Sequence, residues 1–295
     1  MEKTNKANYY ISAHLAVLLG GFTGLFGKLV TLNEVDIAWY RMAFAAIFLM
    51  VFTGLPRISF RKLLCLAGTG ALLGLHWVLF YASIKLSNIS IGVVCYSLVG
   101  FFTALFEPWI YHRKVSAHEI FYSLLTMAGL LCIFSFDSRY RLGITVGAVA
   151  AAVAALYGVL NKKESEGVKG RTSLLYQMSG GVVLLTMIVP LYLLVFPSSQ
   201  PVVVIPEGSN LWWLLSAALF CTVGEYLLII RSLRGISAFT MNLTFNLEPV
   251  YSIILAFLFF GEGHDFNFSF YIGISLIIFS VVLQTIRSKK AMKEN

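Results

Sequence analysis

The chain is poor in charge. Of its 295 residues only 12% are Asp, Glu, Lys or Arg, whereas 58% are hydrophobic and the mean hydropathy is +0.81. Soluble domains carry about twice that share of charge, so the composition is that of a membrane protein. Cysteine is scarce too. Cys65, Cys95, Cys132 and Cys221 fall within or beside apolar runs with no C-x-x-C spacing, which supports neither a zinc site nor a disulfide framework. No metal and no other cofactor is expected. Also missing are a Gly-rich phosphate loop ending in Lys-Ser/Thr, an H-E-x-x-H pair and a nucleophile elbow. Their absence excludes ATP hydrolysis by this chain and argues against an enzyme. Almost no sequence is left over for a soluble domain.

What is present is a series of apolar runs. Crossing the hydrocarbon as a helix takes roughly 20 residues. Ten segments qualify, at about 11–30, 35–54, 63–83, 89–109, 118–136, 142–161, 173–196, 211–230, 237–260 and 268–287. The first run follows Lys3 and Lys6, lacks a small-residue cleavage site and continues through Gly20 to Val30, so an uncleaved helix is expected rather than a signal peptide. The net charge of +8 would suit a nucleic-acid partner, but its placement points elsewhere. With Lys28 and Arg41 inside helices, every other Lys and Arg except Lys85, Arg139 and Arg141 falls in the tails or in loops on one side. Such a bias predicts a multi-pass protein of the cell (inner) membrane with both termini cytoplasmic, a lipid bilayer as its setting, and no nucleic acid. Trp39, Tyr40, Trp109, Tyr111, Trp212 and Trp213 stand at segment ends, as interfacial aromatics do.

The hydrophilic stretch Asn161–Ser173 lies near the middle, and a faint repeat runs across it. "HWVLFYASIKLSN" from His76 lines up with "EYLLIIRSLRGIS" from Glu225, 149 positions on; the same shift pairs Ser83 with Ser232, Lys85 with Arg234 and Leu98 with Leu247. Nearer each start the offset shortens, pairing Tyr40 with Tyr176 and Gly24/Lys28 with Gly158/Lys162. The expected fold is all-α and integral to the membrane: ten transmembrane helices as two five-helix repeats, residues 1–137 and 142–295. Five is odd, so the second copy is inverted, a common design of secondary transporters.

The Gly-x-x-x-Lys of the first helix (Gly24, Lys28), Arg41 early in the second, and "LEPV" followed by "GE" (Leu247–Val250, Gly261-Glu262) resemble EamA-type proteins of the drug/metabolite transporter superfamily. The resemblance spans essentially the whole chain. It implies a ten-helix carrier, usually an exporter of small metabolites, with a central cavity lined by both halves. The first copy departs from the pattern, setting Val99-Gly100 against Glu248-Pro249 and "HRK" from His112 against "GEG".

Ionisable residues deep in spanning helices are costly and normally face a cavity or a partner. Glu248 falls close to the midplane, about eleven residues into the ninth segment, and Pro249 is expected to kink that helix and free backbone carbonyls, with Gly100 as the matching weak point in the fourth. Asn242 and Asn246 stand on nearly the opposite face from Glu248, so one set faces a cavity and the other holds helices together. His76 and Glu225 are repeat partners, each a substrate or proton site or else a satisfied buried contact. Beside them run Trp77-Tyr81 and Tyr226-Ile230, as packing or as cavity wall. Tyr96, Tyr157 and Asn161 complete the candidates for substrate binding. Lys28 and Arg41 flank the first outer hairpin, either reaching to the interface or forming a positive mouth. These residues predict a secondary active transporter, exporter or exchanger, that moves a small polar metabolite such as an amino acid by alternating access, with protons as the candidate coupling ion. A membrane-embedded lipid-modifying enzyme and a channel are the alternatives. Monomer and homodimer are equally compatible with the sequence.

Overall fold

With no water in the hydrocarbon to take up backbone N–H and C=O groups, apolar runs of this length must satisfy their polar atoms within the segment, and they do so as helices. The computed structural model describes residues 6–112, 117–134, 138–195, 204–236, 241, 244–245, 247–265 and 268–294, and among these every regular element is helical. In chain order they are α1 (Lys6–Leu29), α2 (Glu34–Thr53), α3 (Phe60–Leu86), α4 (Ile89–Tyr96), α5 (Val99–Tyr111), α6 (Ala117–Phe134), α7 (Arg141–Glu164), α8 (Gly170–Val195), α9 (Gly208–Ala218), α10 (Glu225–Ser232), α11 (Glu248–Phe260) and α12 (Phe268–Glu294). Seven spans among the described residues are long and apolar enough to cross a membrane, the fourth being α4 with α5 and the seventh α9 through α10; α11 and Phe268–Ser280 are shorter apolar helices. Large apolar side chains face outward, among them Val51, Trp109 and Leu194 at 73–79% exposure. Such a surface suits lipid and would aggregate in water.

Starts are capped locally. Asn33 accepts from the Val35 N–H (2.9 Å) and Asn88 from the Ile91 N–H (2.8 Å), each satisfying a donor that the first turn leaves open.

Three spans are not regular helices. The fourth breaks at Ser97-Leu98, where the Leu98 N–H bonds to the Cys95 carbonyl three residues back (3.0 Å); the entry to α11 repeats this at Leu247, whose N–H bonds to the Thr244 carbonyl (3.0 Å). Pro249 therefore does not kink a continuous helix. It sits in the first turn of α11, where its missing N–H would have had no intrahelical partner. The third irregularity is a π-helical segment, Leu219–Gly224, between α9 and α10.

Glycine sets how closely the spans approach. A Cβ on Gly70 of α3 would lie 1.8 Å from the Gln177 carbonyl oxygen of α8, and one on Gly180 of α8 would lie 2.3 Å from the Ala67 Cα. The two backbones touch there, as small residues permit in membranes. Likewise α3 rests on α7 through Gly143 and Gly147, which face Ser87, Ser83 and Cys95. The closest neighbours of α3 are thus α7 and α8, while α1 packs on α10 and α11, and α6 on α12.

Candidate functional site

A cavity of about 220 Å³ opens where α1, α2, α3, α4, α7, α8, α10 and α11 converge. Of the residues singled out in the sequence, Arg41, His76, Trp77, Tyr96, Tyr157, Glu225, Tyr226 and Glu248 all line it.

Arg41 is only 2% exposed and belongs to the cavity wall rather than to a mouth. Its Nε donates to Thr222 Oγ1 (2.9 Å), Nη1 to the Tyr81 hydroxyl (2.8 Å), and Nη2 to the Cys221 carbonyl (2.6 Å) and Thr23 Oγ1 (3.4 Å). The guanidinium lies over Trp77, 3.9 Å from the ring centroid, a cation–π contact. Two of these acceptors, Thr222 and the Cys221 carbonyl, belong to the π-helical segment, where i→i+5 pairing displaces the usual backbone partners. Arg41 thus ties α2 to α1, α3 and the segment from which Glu225 projects. Tyr81 takes part as this tether and is fully buried.

Glu225 and Glu248 come together at Gly20 of α1. The point where a Cβ would stand on Gly20 is 3.2 Å from Glu225 Oε1, and 3.2 and 3.3 Å from the Cδ and Oε1 of Glu248. The bare Cα makes room for both carboxylates. Among the described residues neither has a hydrogen-bond or ion-pair partner. His76, 6% exposed, bonds through Nδ1 to the Ala150 carbonyl (3.0 Å) and lies beside Tyr96 (centroids 5.5 Å apart) and Phe80 (5.9 Å).

Other candidates fall elsewhere. Asn161 sits in a polar cluster outside the lining: Gln177 Nε2 donates to Asn161 Oδ1 (2.6 Å) and Ser173 Oγ (3.0 Å), and the Tyr157 hydroxyl donates to Gln177 Oε1 (3.0 Å). Gly100 has open space around its Cα, and like Pro249 it lies in the first turn after a break. Asn242 and Asn246 lie outside the described residues.

Lys28 pairs with Glu262 (2.9 Å) and lies over Phe260 (5.1 Å). Glu262, 2% exposed, also accepts from the N–H groups of Ile89 (3.0 Å) and Ser90 (2.9 Å) and from Ser90 Oγ (2.8 Å), so it closes the N-terminus of α4. At the end of α7, Lys162 pairs with Glu107 (3.1 Å) and lies over Tyr111 (5.3 Å). Nothing in the sequence signals that Glu262 and Glu107 meet these lysines. Thr23, Thr222 and Gly20 are likewise silent there, because small and hydroxyl residues carry no signal until the facing of each helix is known.

A ligand-sized cavity walled by ionisable and aromatic side chains inside a bundle of membrane helices is the anatomy of a transporter. The model of the EamA-like transporter family matches residues 7–135 and again residues 141–286. An uncharacterized transporter of Clostridium kluyveri is 27% identical over 217 residues, which covers 71% of this chain and 67% of that protein. A solved crystal structure shares the fold with a TM-score of 0.62 at 16% identity, covering 97% of this chain and 99% of its own. The chain belongs to the EamA-like transporter family and is a multi-pass membrane protein.

Proposed function

We propose that this protein is a secondary active carrier, an exporter or exchanger, that moves a small polar metabolite bearing an amino group by alternating access. The observation that carries the reading is the cavity itself: its wall draws on helices from both parts of the chain and presents two unpartnered carboxylates to whatever enters. A proton carried on Glu225 would provide the coupling.

Ten spans in two inverted repeats fit this mechanism, and several backbone features support them. The last residues of α1 and α7, Leu29 and Glu164, differ by 135, and the bounds of α5 and α11 by 149 at both ends. His112 and Gly261, the left-handed C-caps of α5 and α11, stand at the same 149 offset. So do Tyr111 and Phe260, the rings beneath Lys162 and Lys28. Each lysine ends the first helix of one repeat and reaches the end of the fourth span of the other. In this reading the two ion pairs are alternate gates, and the broken spans at Gly100 and Pro249 are the hinges on which they work.

The reading is tested by counterflow in proteoliposomes. Preloaded metabolite should accelerate entry of its labelled form, and Pro249→Ala and Gly100→Leu should each slow that exchange. Competition without accelerated exchange would argue for a channel or an enzyme instead. Orientation is tested separately in intact cells, where an impermeant maleimide should label a Cys at Glu207 and spare one at Gly167. The reverse pattern would overturn cytoplasmic termini.

A further inference from the structure

Sequence composition alone suits a zwitterion, because Lys28, Arg41 and His76 offer positive charge for a carboxylate while Glu225 and Glu248 offer negative charge for an amine. The hydrogen bonds remove one side of that balance. Lys28 is outside the cavity lining and paired with Glu262. Arg41 has given four hydrogen bonds to protein acceptors, and one face of its guanidinium is covered by Trp77. A guanidinium has five N–H donors, so almost nothing is left with which to grip an anion bidentately. His76 shows the same sign of preference. A carbonyl only accepts, so the Nδ1 that meets Ala150 carries a hydrogen, and in the neutral ring Nε2 is left as an acceptor for a ligand.

Among its carboxylate, guanidinium and imidazole groups, then, what the cavity leaves open is acceptors: two carboxylates converging on Gly20 and one imidazole nitrogen, in an aromatic surround. Once the proton has left Glu225, one fixed guanidinium against two carboxylates leaves one formal negative charge, so the amine takes the place of that proton. In a low-dielectric bundle a net charge is offset by a ligand of opposite sign far better than by a neutral hydroxyl, and aromatic faces favour a cation further.

We infer that the cavity selects monocationic amines lacking a carboxylate, with the ammonium held between Glu225 and Glu248 and the organic part against Trp77, Tyr96 and Tyr157. Passage of the bound amine across the membrane rests on the carrier reading, but binding itself can be measured without transport.

The probes are phenethylamine, phenylalanine and 3-phenylpropionate, which share a ring and differ in charge. Binding is read on purified wild-type protein in detergent by isothermal titration calorimetry. Phenethylamine should bind at least tenfold more tightly than phenylalanine, and phenylpropionate should not compete. Glu225→Gln and Glu248→Gln, near-isosteric changes checked by gel filtration, should each weaken the amine about tenfold, the loss expected when one charge-assisted hydrogen bond becomes a neutral one. Phenylalanine binding as tightly as phenethylamine would overturn the inference with no variant needed, as would unchanged amine affinity in folded Gln variants. Amine binding without counterflow of the amine would sink the carrier reading and leave the site standing. Counterflow of another metabolite that phenethylamine neither joins nor inhibits would do the opposite.

Discussion

Arg41→Lys should reduce the initial rate of counterflow about a hundredfold although charge is conserved. The guanidinium reaches Thr222, Tyr81, Thr23 and the Cys221 carbonyl at once, from a planar fork resting on Trp77. An ammonium has three donors at a single point and cannot span those acceptors or stack in the same way. Each buried polar group left without its partner costs about 1–3 kcal/mol, and every 1.4 kcal/mol is about a factor of ten. Losing two partners therefore accounts for the predicted fall. The segment that relaxes is the π-helical turn that aims Glu225 into the cavity, so amine affinity should drop alongside the rate. A lysine variant that transports within about threefold of wild type, at equal expression, would reduce Arg41 to a source of charge.

Glu262→Gln should expose the cavity from the Lys28 end. The carboxylate is buried, paired with Lys28 and hydrogen-bonded to two backbone N–H groups and a hydroxyl at the start of α4. An amide brings its own donors into a site made of donors, and each buried N–H left without its acceptor costs about 1–3 kcal/mol; the pair with Lys28, which is 39% exposed, adds less because solvent screens it. Cys221 reports the result, since it lines the cavity and is 1% exposed. With the other three cysteines replaced, an impermeant maleimide applied from the Lys28 side should modify it at least tenfold faster than in the parent. Lys28→Ala, which leaves the α4 cap in place, should act in the same direction. Lys162→Ala should raise reactivity from the other side only, and by less, because that lysine is 69% exposed and its pair is screened by solvent. Unchanged reactivity in all three would mean that these pairs are surface fastenings and not gates.

The helical architecture is legible in the sequence because lipid demands long uninterrupted apolar runs, and a charge bias stands out clearly against so little polar sequence. The eight cavity residues that can be picked out from sequence meet one criterion, the cost of an ionisable or aromatic-polar side chain within a span. That criterion does not say which way a side chain faces. It leaves Arg41 open between interface and interior, and it groups Asn161 with Tyr157 although only Tyr157 reaches the cavity. Nor does sequence announce a π-helical turn, which is a one-residue shift in backbone pairing with ordinary side chains (Leu219–Gly224). The meeting of Glu225 and Glu248 depends on the rotation of three helices about a glycine that contributes no side chain at all. Pro249 is conspicuous, but a proline marks a break without saying whether it ends one helix or begins the next.

The notch at Gly70 bears on how the protein is made. It is filled by α8, a helix the ribosome has not yet reached when α3 enters the membrane. The same holds for α1, whose main neighbours are α10 and α11, and for α6, which waits for α12. Early helices therefore emerge with their best contact surfaces vacant, facing lipid or one another in provisional arrangements. A message broken off after α6 yields no half-transporter, only a set of helices whose partners never arrive. The cavity cannot begin to close until more than half the chain has been translated, and a single late truncation is enough to strip α6 of its main neighbour.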